Sequence, residues 1–203
     1  MANLLAELNR EMSAVVESAR RSLVQVQNGR HGAGAGTILH PDGLIITNAH
    51  VVQRHSPRVT LWDGRELRGR LLAYDESIDL AAISVGTEGL PTIELAGEDE
   101  ARPGQWVIAL GHPWGVTGAT TAGMIIDVGQ PLEGIRFRGN LIQVGLQLRP
   151  GHSGGPMING AGRLVGINTM ISGPEVGLAI PAETVKRFLK RALGSPTPEP
   201  QRA

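Results

Sequence analysis

A chain of 203 residues with 41% apolar content can bury the core of one large domain or two small ones, and aromatics at 3% leave that core to Val, Ile, Leu and Ala. Nineteen Lys and Arg balance nineteen Asp and Glu, so charge supplies neither a basic face for nucleic acid nor an acidic tail. With no Cys, disulfides, thiolate metal sites and a cysteine nucleophile are excluded.

The chain opens on Leu4, Leu5, Leu8, Met12, Val15, Val16 and Ala19 at helical spacing, interrupted by Glu7, Glu11 and Glu17. This pattern predicts an amphipathic helix over 1–21, packed on the rest of the protein or on another subunit, and not a signal peptide. The sequence as written therefore reads as cytoplasmic, or as periplasmic or organellar where a leader has been removed. No stretch approaches the roughly 20 apolar residues of a membrane span.

Twelve short apolar runs follow between turn signals: 22–27, 34–39, 43–48, 57–62, 66–73, 79–85, 105–110, 119–127, 141–147, 155–159, 163–171 and 176–180. Pro41-Asp42-Gly43, Asp63-Gly64 and Asn159-Gly160 supply the residues tight turns need. No helices alternate with these strands, which argues against a parallel sheet and for an all-β fold of two six-stranded antiparallel barrels, meeting near 88–105 with Glu98–Pro103 as the polar crossing. Pro181 opens a second helix over 182–193, with Val185, Phe188, Leu189 and Ala192 on one face and Gly194 as its stop. The domain thus runs 22–194, and the Pro-rich polar segment 195–203 reads as a disordered tail.

Chemistry enters at two distant places, Thr47-Asn48-Ala49-His50-Val51-Val52 and Gly151-His152-Ser153-Gly154-Gly155-Pro156. A serine hydroxyl is a weak nucleophile at neutral pH and needs an imidazole base, whose tautomer is fixed by a carboxylate. The segment 151–155 also satisfies Gly-x-Ser-x-Gly, the nucleophile elbow of α/β-hydrolases, but in that fold a histidine must follow the serine. The histidines are 31, 40, 50, 55, 112 and 152, and none does. The order His, Asp, Ser survives, with His50 as base and Ser153 as nucleophile. Asp79 opens the apolar run Leu80 to Val85 and is the preferred third member; Asp75, among Glu76 and Ser77, reads as a solvated turn residue and stands as the alternative. The glycines around Ser153 suit an oxyanion hole of backbone N–H groups from 151–153, with Gly151 and Ser153 as the main donors and His152 between them. His112 and His152 fit no metal-ligand spacing and read as two unrelated surface histidines. No metal or cofactor is called for.

On these residues the sequence resembles the HtrA (Deg) branch of trypsin-like serine proteases over about residues 10–193. Thr-Asn-Ala-His-Val-Val stands intact at 47–52, Asp-Leu-Ala at 79–81, and the family's Gly-Asn-Ser-Gly-Gly-Pro as 151–156 with His152 in place of Asn. Gly111-His112-Pro113-Trp114-Gly115, Gly166-Ile167-Asn168-Thr169 and Gly177-Leu178-Ala179-Ile180-Pro181 follow further family segments. The resemblance implies a serine endopeptidase of protein quality control, acting on unfolded or misfolded protein. It implies that strand 167–170 pairs with substrate backbone, that Gln147, Leu148, Arg149, Ile167, Asn168, Thr169 and Leu178 form the binding surface, and that residues 147–151 with Asn168 and Leu178 wall a pocket for small or medium aliphatic side chains. It also implies a homo-oligomer, a trimer joined through aromatic residues near the N-terminus, whereas residues 1–30 hold none. Many relatives continue into a PDZ domain; this sequence is read as the protease domain alone. The alternative function is a latent or inactive peptide-binding, chaperone-like module, motivated by His152 beside the oxyanion segment.

Overall fold

The computed structural model describes residues 2–29, 32–131, 137–173 and 175–194; the segment 195–203, expected to be a disordered tail, lies outside them. Helix α1 (Ala2–Arg20) leads into β1 (Leu23–Gln27), β2 (Ala33–His40), β3 (Leu44–Thr47), the single-turn helix α2 (Ala49–Val52), β4 (Arg58–Thr60), β5 (Glu66–Asp75) and β6 (Leu80–Val85). After a connection carrying a 3₁₀ turn at Glu98–Glu100 come β7 (Trp106–Gly111), β8 (Ala119–Gly129), β9 (Leu141–Gly145), β10 (Pro156–Asn159), β11 (Leu164–Ile171), β12 (Val176–Pro181) and helix α3 (Ala182–Leu193). The strands close into two antiparallel barrels, ordered β1-β2-β3-β6-β5-β4 and β7-β8-β9-β12-β11-β10. Each of the twelve apolar runs has become one strand.

The period of two explains why several strands read as unbroken apolar runs. In β6, Ala81, Ile83 and Val85 point into the first barrel, with Val24, Val26, Ile38, Ile45 and Val59 around them. The alternate residues Leu80 and Ala82 point the other way, into a seam shared with Ile108, Leu110, Ile167, Ile180 and Phe188. Strand β7 divides in the same manner: Val107 and Ala109 fill the second barrel, while Ile108 and Leu110 join the seam. A strand with both faces buried has no polar alternation to show. Helix α3 closes the seam with Val185 and Phe188, and α1 reaches it with Ala19.

The seam also positions the site, because loops from both barrels meet over it. Thr37 Oγ1 of β2 donates to the Gly154 carbonyl at 3.1 Å, Ala35 N–H to the Ser153 carbonyl at 2.7 Å, and Thr47 Oγ1 to the Ala35 carbonyl at 2.7 Å. The serine-bearing loop of the second barrel is thereby tied onto the first.

Candidate active site

His50 sits in α2, directly after β3, so its backbone is held by the first barrel's wall. Asp79 ends a 3₁₀ turn at Glu76–Ile78 and adopts φ +48, ψ +44, a left-handed conformation uncommon outside glycine. Local bonds impose that conformation. The Asp79 carbonyl accepts from Ala49 N–H at 3.2 Å and from the Asn48 amide at 3.0 Å, fastening the residue to the start of α2. Its carboxylate then meets His50 twice: Oδ1 accepts the His50 backbone N–H at 3.1 Å, and Oδ2 lies 2.9 Å from His50 Nδ1. Thr169 Oγ1, from the second barrel, donates to Oδ2 at 2.6 Å. A carboxylate only 9% exposed thus finds three protein donors, as burying a charge requires. Nδ1–H of His50 is consumed by Asp79, which leaves Nε2 as the basic nitrogen facing solvent.

Asp75 takes no part. Its carboxylate accepts from Ser77 N–H and Ser77 Oγ and pairs with Arg191 at 2.5 Å, capping the turn that leads to Asp79. Partial burial alone would raise its pKa, but the Ser77 bonds and the Arg191 guanidinium hold it below the usual carboxylate range.

Ser153 lies on the loop between β9 and β10. Its Oγ donates to the Thr169 carbonyl of β11 at 2.8 Å and makes no hydrogen bond to His50. Thr169 therefore touches both partners, Asp79 through its hydroxyl and Ser153 through its carbonyl. Gly154 follows at φ +85, and a Cβ there would stand 2.0 Å from the Ala35 carbonyl oxygen. Gly151 has φ +105, and its Cβ would meet the His112 carbonyl oxygen at 2.5 Å. Only glycine fits either place.

The backbone donors of this loop are unequally committed. His152 N–H donates to the Arg149 carbonyl at 3.0 Å, Gly154 N–H to Asn168 and Gly155 N–H to His152, both at 2.9 Å. The N–H groups of Gly151 and Ser153 donate to nothing among the described residues. His152 N–H, expected within the oxyanion set, is already spent on the Arg149 carbonyl in its own turn.

A cavity of about 340 Å³ opens beside Ser153, lined by His50, Leu148, Arg149, Pro150, Thr169, Met170 and Ile171. Leu148, Arg149 and Thr169 of the expected binding surface stand here, and exposed Gln147 lies at the margin, accepting from Arg149 Nη2 at 2.5 Å. Ile167, Asn168 and Leu178 do not line it. Ile167 and Leu178 are packed in the seam, and the buried Asn168 amide donates to the carbonyls of Leu110 and Pro156. Pro150 and Met170 fall within the expected pocket stretch 147–151 and the expected substrate-pairing strand 167–170, and sequence reasoning missed Ile171. The register shift between Asn168 and Met170 in the β11–β12 pairing interrupts strict alternation and puts consecutive residues Thr169 and Met170 on the cleft.

The reading of His112 and His152 as unrelated surface residues needs correction. His152 is 3% exposed and His112 half-buried, each with a buried Nε2 that has no hydrogen-bond partner. They are neighbours: His112 N–H donates to the Gly151 carbonyl at 2.9 Å, and a Cβ on Gly111 would lie 2.6 Å from His152 Cα. Burial pushes both imidazoles below the ordinary histidine range, and the charge of each neighbour, His152 for His112 and Arg149 for His152, adds to it. Among the described residues no group of three or more acidic or histidine side chains could hold a metal ion.

Comparison with known proteins agrees with this architecture. A family model for the trypsin-like peptidase domain matches residues 34–167. The Synechocystis sp. protein that bears the serine-protease name HhoB is 40% identical over 165 residues, covering 76% of this chain and 39% of that protein. The mitochondrial serine protease HTRA2 of Drosophila persimilis is 37% identical over 165 residues, 78% of this chain and 39% of its own length. The chain thus spans about two fifths of both relatives. Among solved structures, the HtrA-type protease AlgW with a tripeptide superposes with a TM-score of 0.82 at 30% identity, over 88% of this chain and 62% of that one.

Proposed function

We propose, on the premise that this chain belongs to the trypsin-like peptidases of the HtrA type, that it is a serine endopeptidase working through His50, Asp79 and Ser153. The observation that carries the reading is the Asp79 carboxylate, buried, triply bonded and set 2.9 Å from His50 Nδ1, with the serine loop of the other barrel tied alongside. A carboxylate so placed holds the neutral base in the tautomer with a bare Nε2 and stabilises the imidazolium once it has taken a proton.

The reaction begins when Ser153 rotates about χ1, exchanging the Thr169 carbonyl for His50 Nε2. Oγ attacks the scissile carbonyl carbon as Nε2 removes its proton. The carbonyl oxygen, now negative, moves between the N–H groups of Gly151 and Ser153, which have no competing acceptor. His50 returns the proton to the leaving amine, and water, activated by the same imidazole, hydrolyses the acyl-enzyme. In β11 the backbone at Asn168 is already bonded to Gly154 and Gly155, so substrate backbone pairs along Thr169 to Ile171. The substrate side chain enters beside Leu148 and Met170, favouring aliphatic residues, and Arg149 does not make the cavity basic-repelling or acidic-selective, because its guanidinium lies over the Trp114 ring at 4.6 Å.

Unfolded or misfolded proteins, which offer extended aliphatic segments, are the substrate class, and the compartment is periplasmic or organellar, as in the mitochondrial relative. Assembly with further copies through α1, whose Leu4, Leu5 and Leu8 are exposed, belongs to the same reading. The latent reading rests on one feature, the Ser153 hydroxyl bonded to Thr169 and not to His50.

Fluorophosphonate labelling of the purified chain separates the two. Prompt labelling near neutral pH that vanishes in Ser153→Ala, together with cleavage of unfolded casein, supports the endopeptidase. No labelling with or without casein favours the latent module, and casein cleavage by Ser153→Ala at the wild-type rate overturns the assignment.

A further inference from the structure

The unexplained group at this site is the His152 imidazole. It is almost completely buried, yet it is not in contact with the reacting atoms in the scheme above, and its own N–H faces Arg149. Its Nδ1 stands 3.1 Å from the Arg149 nitrogen and 3.2 Å from the Arg149 carbonyl oxygen. That carbonyl already accepts the His152 backbone N–H at 3.0 Å, whereas the Arg149 N–H points at Nδ1 and has no other acceptor among the described residues. A hydrogen on Nδ1 would confront the Arg149 N–H and leave it without an acceptor among the described residues, so the bare Nδ1 is the form that satisfies the turn, at the cost of a buried Nε2–H with no partner among those residues.

We propose that His152 is a positioning residue, a neutral imidazole protonated at Nε2 whose bare Nδ1 pins the Arg149–His152 turn and so keeps the N–H groups of Gly151 and Ser153 aimed at the oxyanion. The turn is closed twice, from N–H to carbonyl along the backbone and from N–H back to the side chain. From outside it is fixed at both ends, by His112 N–H on the Gly151 carbonyl and by the Arg149 guanidinium over Trp114. Proline at 150 has no N–H to compete and fixes φ in the turn's middle. With Nδ1 gone, Arg149 N–H is left seeking an acceptor, and the nearest rearrangement is rotation of the peptide units between Arg149 and Ser153, the same units whose N–H groups form the hole. This function rests on the endopeptidase reading, but the geometry of the turn does not.

Two measurements on the full chain test it. In ¹⁵N-labelled protein, two-dimensional histidine spectra are expected to show His152 with Nε2 protonated and Nδ1 bare; an Nδ1–H signal overturns the proposal. In labelling with a fluorophosphonate at neutral pH, His152→Leu is expected to react about a hundredfold more slowly than wild type, as when one oxyanion donor is lost, while still melting cooperatively. His152→Asn, whose Oδ1 falls where Nδ1 stood, is expected to recover most of that loss. Wild-type rates in His152→Leu, or equal rates in the Leu and Asn variants, overturn it. Should His152→Leu fail to fold, the Asn variant decides: recovery together with the bare Nδ1 supports the proposal, and an Asn variant as slow as Ser153→Ala overturns it. A wild-type chain that takes no label defeats the endopeptidase reading instead, and the tautomer then decides alone whether His152 pins the turn.

Discussion

The two barrels contribute to one site by different means. The first supplies His50 and Asp79, both anchored by side chains: a carboxylate with three donors, a carbonyl with two, and a strained left-handed backbone kept in place by them. The second supplies Ser153 and the proposed oxyanion donors on a loop anchored by its backbone, where glycines at positive φ allow main-chain atoms to approach within contact of β2 and of His112. A fixed charge is held by surrounding it with donors. A cavity for a transient charge is held by leaving donors unspent, which only a backbone of unusual conformation can do. Thr169 serves both, Asp79 through its side-chain hydroxyl and Ser153 through its backbone carbonyl.

The comparison breaks most visibly at Asp79. Asp79→Asn should lower kcat on a peptide substrate roughly ten-thousandfold with KM little changed, since the amide stabilises neither the imidazolium nor the right tautomer; a loss below tenfold in steady-state kinetics would show that the first barrel's charge is not used. Gly154→Ala strikes the second barrel's device. With a Cβ 2.0 Å from the Ala35 carbonyl oxygen and a left-handed backbone, it should cost about 3 kcal/mol in denaturant unfolding, along with nearly all labelling at Ser153. Thr169→Val, nearly isosteric, removes the hydroxyl bond to Asp79 while leaving the carbonyl that holds Ser153; kcat should fall about tenfold, the scale of one hydrogen bond to a charged group. An unchanged rate would mean that the barrels are coupled by the backbone alone.

The smallest effect is on stability against pH. The folded pKa values of His112 and His152 are depressed, so below the ordinary histidine range the unfolded chain binds more protons than the folded one. Stability from keeping these rings neutral is present above pH 6.5 and is lost as pH falls through their folded pKa values, with burial first opposing protonation, joined by the His152 charge at His112 and the Arg149 charge at His152. Thermal melts of wild type and His152→Asn across this range should diverge on the acid side, wild type falling faster. Parallel curves would mean that the buried ring takes a proton without penalty.

Most of the framework was legible in the sequence because the strands are short, bounded by Gly and Asx turns, and joined in order around each barrel; helix 182–193 was recovered residue for residue. His50, Asp79 and Ser153 could be named because a serine nucleophile needs a base and a carboxylate, and because no histidine follows Ser153, which excludes the α/β-hydrolase order; the structure brings the first two into contact and the third beside Thr169. What could not be read was which way a side chain faces once a strand has two buried surfaces. Ile167, Asn168 and Leu178 belong to strands that border the cleft, yet Ile167 and Leu178 turn into the seam and the Asn168 amide is spent on the Leu110 and Pro156 carbonyls, while a register shift turns Met170 toward the cleft. His112 and His152 carried no signal of burial, because what buries them is the approach of two glycine-containing segments across 40 residues of chain, a contact no local pattern encodes.

The ion pair between Arg191 and Asp75 spans 116 residues and joins the last helical turn of α3 to the cap of the 3₁₀ turn that presents Asp79. During synthesis, therefore, the segment holding the carboxylate acquires this tether only when α3 has been made and docked. A growing chain would carry His50, Asp79 and Ser153 before α3 could fasten the turn that holds the carboxylate in place.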